Sequence, residues 1–137
     1  MKKPISPWDY KAELISPDEK YRAIFDEGAE IAMGAPSRGR LRLIEILNPK
    51  NETLIEADSA AASMVWSNDS KFLAFSRWRS NKKQSLCVFR VNDSKIDESP
   101  DEFIVLELHT FRDSKISGVD SPVHQPRTFS LKYDPTG

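Results

Sequence analysis

The apolar positions of this chain fall in short runs bounded by turn residues. Leu41-Arg42-Leu43-Ile44-Glu45-Ile46-Leu47, Thr53-Leu54-Ile55-Glu56, Leu86-Cys87-Val88-Phe89-Arg90-Val91 and Phe103-Ile104-Val105-Leu106-Glu107-Leu108 are short and rich in β-branched or aromatic side chains. Runs of this kind predict strands. No stretch carries a helical apolar period with a cap at each end. Residues 128–133 alternate apolar and polar positions and predict one further strand near the C-terminus.

The runs are organised by an internal repeat. Ile15-Ser16-Pro17-Asp18-Glu19-Lys20-Tyr21-Arg22-Ala23-Ile24 recurs as Trp66-Ser67-Asn68-Asp69-Ser70-Lys71-Phe72-Leu73-Ala74-Phe75, offset by 51 residues. Each copy reads as a strand end, a tight polar turn and a strand carrying an aromatic and an alanine. Pro, Asn, Asp and Ser suit such a turn because they pre-set φ or hydrogen-bond the local backbone. With the two later runs added, each unit is a four-stranded meander: repeat 1 at about 8–57, repeat 2 at about 58–111, and a remnant at 112–137. In this reading residues 92–102 are the loop between the third and fourth strands of repeat 2. Gly28 marks a bulge in the second strand, and residues 34–39 a hairpin loop.

Composition narrows the class. A chain of 137 residues is long enough to bury its own core as a single domain, and 39% hydrophobic with 30% charged residues is globular. Lys and Arg number 20 against 21 Asp and Glu, so no global charge draws the chain to nucleic acid or an anionic membrane. A lone cysteine, no apolar leader after Met1-Lys2-Lys3 and no run of about 20 apolar residues lead to the expectation of a soluble, cytoplasmic protein.

The segment Trp66-Ser67-Asn68-Asp69-Ser70-Lys71-Phe72-Leu73-Ala74-Phe75 resembles the signature of TolB-type, WD-repeat-like β-propeller blades, and the likeness extends over roughly residues 8–110. It implies an all-β fold: two four-stranded antiparallel meanders resembling half a β-propeller, with a C-terminal extra strand or partial blade. A closed ring takes about 4–8 blades, so the resemblance also implies open strand edges, covered by the remnant or by self-association.

Candidate chemistry is sparse. Cys87 lies inside an apolar run, where a free cysteine is a small buried hydrophobe. His109 and His124 have no ligand or nucleophile spacing around them, and the glycines form no phosphate loop. We therefore expect no catalysis, no metal and no cofactor. Charge offers more. In the meander reading one rim holds Asp18, Glu19, Glu52, Asp69, Asp93, Asp97, Glu98, Asp101 and Glu102, and the opposite rim holds Arg38, Arg40, Arg77, Arg79, Lys82 and Lys83. The expected partner-binding residues are Asp93, Asp97, Glu98, Asp101 and Glu102 on the acidic rim, with Arg77, Trp78 and Arg79 on the basic one. An acidic rim on a small half-propeller is similar to what is expected of bacterial immunity proteins, including those of contact-dependent inhibition, which bind and block a basic toxin encoded by a neighbouring gene. The alternatives are a nucleic-acid-binding module using the 77–83 segment, in which Trp78 stacks a base, or a fragment of a propeller enzyme.

Overall fold

A computed structural model describes residues 4–80 and 82–135. Among these residues the chain forms ten strands and no helix. Strands β1 (Ala12–Ile15), β2 (Tyr21–Glu30), β3 (Ser37–Glu45), β4 (Glu52–Trp66), β5 (Phe72–Trp78), β6 (Gln84–Arg90) and β7 (Ile96–Phe103) lie side by side, in chain order, in one seven-stranded antiparallel sheet. Strands β8 (Leu106–Arg112), β9 (Lys115–Asp120) and β10 (Arg127–Lys132) form a separate three-stranded meander. The all-β, open, propeller-like architecture is the expected one.

The seven-stranded sheet is two four-stranded units that share a strand. The first half of β4 pairs with β3 and the second half with β5; Ala60 pairs with Gly39 on one side and Arg77 on the other. Sequence predicted two separate strands here, at 53–56 and ending at Trp66. The structure joins them, because Ala60, Ala61, Ala62 and Ser63 are all buried and small enough to pass between packed sheets.

The second unit ends differently from expectation. Residues 103–108 are not its fourth strand. That strand is β7, built from the acidic stretch read as a loop, while residues 106–108 open the third sheet. Most of β7 stands near solvent and needs no apolar alternation, and Pro100, which has no N–H to donate, is tolerated on such an edge. The remnant is likewise more than one strand. Asp113 and Ser114, at φ 51° and 66°, form a two-residue hairpin turn that joins β8 to β9, and β10 pairs only with β9.

The two four-stranded halves of the large sheet and the β8–β10 meander, the third sheet of the stack, enclose two interiors. Side chains alternate across a strand, so Leu73, Phe75, Cys87 and Phe89 face the first unit, while Ala74, Leu86 and Val88 face the third sheet. The aromatic and small apolar residues of the second unit, Trp66, Phe72, Ala74, Phe75, Val88 and Phe89, therefore do not share one interior, as a single blade core would predict: Trp66, Phe75 and Phe89 belong to the first core, Ala74 and Val88 to the second, and Phe72 packs at the edge of the second. Polar side chains tie the third sheet on: the Leu106 N–H donates to Gln84 Oε1 (2.7 Å) and the Leu108 N–H to Ser63 Oγ (2.7 Å).

The repeated turn has one hydrogen-bond set in both copies. The Ser16 hydroxyl donates to Asp18 (2.6 Å) and accepts the Tyr21 N–H (3.1 Å); the Ser67 hydroxyl donates to Asp69 (2.6 Å) and accepts the Phe72 N–H (3.0 Å). The copies differ where neighbours differ. The Trp66 indole N–H reaches back to the Leu14 carbonyl at 3.0 Å, whereas Ile15, the matching position of the first copy, is 44% exposed. Gly28 sits at the expected bulge, between Asp26 and Ala29, and a Cβ there would meet the Tyr10 carbonyl oxygen at 2.5 Å.

Two outcomes are expected. Trp66→Ala removes a first-core anchor and the link to β1, and should cost about 3–5 kcal/mol in a denaturant titration. For the turns, burial raises the carboxyls of Asp18 and Asp69, but the serine hydroxyls and the backbone N–H groups of Lys20 and Lys71 outweigh it and hold both below the usual range. Depressed carboxylates stabilise above their unfolded pKa of about 3.9, and that contribution is lost as pH falls through the folded value. Asp18→Asn/Asp69→Asn should therefore melt well below wild type at neutral pH, with the gap closing as melts are repeated below about pH 4.

Candidate functional site

Cross-strand partners share a face of a sheet, and this rule sorts the acidic residues of β7. Cys87 faces the first unit, and so does its partner Glu98; Ser85 and its partner Glu102 point the same way. Val88 faces the third sheet, and Asp97 with it. Asp101 shares that orientation, at the mouth of the space between β7 and β10.

Toward the first unit the carboxylates meet arginines. Arg77 lies 3.4 Å from Glu56 and 3.7 Å from Glu98, Arg79 lies 3.2 Å from Glu98, and Lys83 lies 3.6 Å from Glu102. The Ser85 hydroxyl donates to Glu98 at 2.5 Å; this bond, with Arg79 and Arg77 behind it and burial opposing, lowers the Glu98 carboxyl. The predicted division into an acidic and a basic rim therefore fails at its centre. Residues assigned to opposite ends pair across β5, β6 and β7.

Trp78 is also placed otherwise than its surroundings suggest. It is 6% exposed, and its indole N–H donates to the Ser37 carbonyl at 3.0 Å. Its ring is thus part of the interior and offers no face to a base, and the cations beside it are paired. Asp93 caps a turn through the Lys95 N–H (3.1 Å) and lies 3.7 Å from Arg90. Cys87 is buried, its thiol pushed up to about 11 chiefly by burial, as suits a core residue. His109 stands beside Glu107 at 2.7 Å, and His124 is exposed. Among the described residues no group of three His, Cys, Asp or Glu is placed to hold a metal ion.

Toward the third sheet the arrangement is open. A groove runs between β7 and β10 in two halves, of about 370 and 330 Å³, that meet at Asp101 and Leu131. Its floor is apolar, formed by Leu86, Val88, Ile116, Phe103, Phe129 and Leu131. Asp97, Asp101, Asp120 and Asp134 stand along it beside Arg127 and Lys132, and Arg90 lies 3.6 Å from Asp97. The Tyr133 hydroxyl donates to Asp97 at 2.5 Å; burial first, then this carboxylate, raises the phenol. Asp120 is almost fully buried and accepts the Ile104 and Val105 N–H groups, both at 3.0 Å, while Arg127 reaches it at 3.2 Å.

Of the predicted residues, Asp97 and Asp101 come together at this groove, Glu98 and Glu102 join the arginine ladder, and Asp93 stands apart. Sequence reading missed Asp120, Asp134 and the β10 edge. The β10 strand itself was legible, but only β9 shows that it ends a sheet.

No helix among the described residues is long and apolar enough to cross a membrane. No protein-family profile matches the chain, and no curated protein matches it. Among solved structures, TolB from Acinetobacter baumannii is similar over 93% of this chain and 31% of its own, at 12% identity and a TM-score of 0.60. A prolyl endopeptidase is similar over 93% of this chain and 20% of its own, at 14% identity and a TM-score of 0.58. The chain thus spans a third or less of these β-propeller proteins, and the likeness shows its fold: a partial propeller of two full blades and three strands of a third.

Proposed function

We propose that this chain is a non-catalytic protein-binding module, a bacterial immunity protein that binds and blocks a basic toxin. The observation that carries the reading is the groove between β7 and β10: an apolar floor under carboxylates that outnumber the cations beside them. Apolar area supplies affinity and the charge excess supplies steering, the combination a cationic protein surface requires. Arg77 and Arg79, already paired, lend nothing to a nucleic-acid reading.

The partner to test is the protein encoded by the gene immediately upstream, purified as its toxic domain. Association at two ionic strengths should be fast at low salt and slower at high salt. Asp97→Asn/Asp101→Asn keeps an acceptor for Tyr133, so it should fold normally, lower the on-rate several-fold and flatten the salt dependence. Cells carrying the toxin should survive with the wild-type chain. Absence of a complex and of protection would remove the immunity reading, and unchanged on-rates in the double variant would move the interface off the groove.

A further inference from the structure

Registry lines up like charges on the outer face of the third sheet. Arg112 pairs with Lys115 across β8 and β9, and Lys115 with Lys132 across β9 and β10, so three cations stand side by side over roughly 10 Å. Two residues along each strand, roughly 7 Å away, Thr110, Ser117 and Ser130 form a parallel row of hydroxyls. Like charges directly opposite one another on a sheet are destabilising. Nothing in the chain relieves these: no ion pair is found for Arg112, Lys115 or Lys132 among the described residues. We infer that this face binds an oligophosphate, a short chain of linked phosphoryl groups laid across the three strands along the cation row.

Arg112 differs from every other arginine described. The others reach a carboxylate or, for Arg38, the Asp58 carbonyl and the Ser59 hydroxyl; Arg112 alone among the described residues has neither an ion pair nor a side-chain hydrogen bond. The face is polar by residue type. The sheet faces that this chain packs together carry side chains such as Phe75, Phe89, Leu86 and Val88, and the two rows carry none, whether or not further chain follows. The carboxylates nearest in sequence, Asp113 and Asp134, lie outside both rows, in the hairpin turn and beyond the end of β10. Further along β8, Glu107 is engaged by His109 at 2.7 Å. An arginine fork beside two ammonium groups suits phosphate. A single phosphate monoester carries about −1.5 to −2 at neutral pH and leaves part of the row uncompensated. A linked chain brings charge to all three cations and keeps oxygens for the hydroxyl row. The Thr110 and Ser117 hydroxyls bond each other, so one proton of that pair, with that of Ser130, remains to donate. No aromatic side chain stands in either row to stack a base, which separates this face from a nucleic-acid platform.

The probe is sodium tripolyphosphate, titrated calorimetrically into the full chain in metal-free buffer at low salt, with orthophosphate and oligothymidylate run beside it. Tripolyphosphate should bind at least tenfold more tightly than orthophosphate, and the affinity should fall steeply as salt is added. Arg112→Gln/Lys115→Gln should weaken it at least tenfold. Lys20→Gln/Lys71→Gln, which removes two lysines from the turns of the first two units, should leave it unchanged. Without ligand the Arg112→Gln/Lys115→Gln chain should melt no lower than wild type, because the substitutions remove a repulsion. No binding, or equal weakening by the two double variants, would overturn the inference, the second by reducing it to net charge. So would a lower melting midpoint in the unliganded Arg112→Gln/Lys115→Gln chain, or tighter binding of oligothymidylate per phosphate, which would assign the face to nucleic acid. Neither Arg112 nor Lys115 lines the groove, so their replacement should leave association with the toxin domain as it was. Failure of tripolyphosphate binding therefore leaves the groove reading standing, and failure of the groove reading leaves this one.

Discussion

The structure depends on the burial of its middle unit from both sides. β5 and β6 are buried along nearly their whole length, one set of side chains facing each interior. At about 25 cal/mol per Å² of apolar surface removed from water, two such faces outweigh anything the turns or ion pairs supply. The first unit and the third sheet are each held by the face of the middle unit that they cover. The polar ties from Ser63 and Gln84 to β8 fix how the third sheet sits, since those two strands share no ladder.

The elements legible in the sequence are those under local constraint. The serine–aspartate turn repeats because its hydrogen bonds lie within six residues, so both copies show the same letters. Even the tryptophan that breaks the repeat has a spatial reason, the Leu14 carbonyl of the preceding unit. The unbroken run of Leu86-Cys87-Val88-Phe89 already signals a strand buried on both faces, a period that alternation alone overlooks. β4 and β7 were illegible for opposite reasons. Small alanines fill the crossing of β4, and β7 borders solvent, so neither shows the apolar alternation that marks a half-buried strand.

Charge was legible as composition and misleading as geometry. Arg77 and Glu98 are 21 positions apart and belonged to opposite rims on paper, yet they meet across three adjacent strands. A loop count assigns each residue to an end of the unit; registry assigns it to a face. Only the second decides whether a carboxylate meets an arginine or looks into a groove, and one step of register separates Glu98 from Asp97.

The two outer faces of the stack are finished in different ways. On the first unit Asp26 receives Arg40 at 2.9 Å and Arg42 at 3.1 Å, and Arg42 also reaches Glu52 at 2.5 Å. The Arg40 hydrogen bond holds the Asp26 carboxyl low against the cost of its burial. On the third sheet Thr110, Ser117 and Ser130 align in one row and Arg112, Lys115 and Lys132 in another. Both faces are therefore dressed for water, one by internal ion pairs and the other by hydroxyls and cations. The groove between β7 and β10 combines both devices: Arg127 reaches Asp120 at 3.2 Å, Arg90 reaches Asp97 at 3.6 Å, and the Tyr133 hydroxyl donates to Asp97. Its polar wall is thus tied down by internal partners while its floor stays apolar.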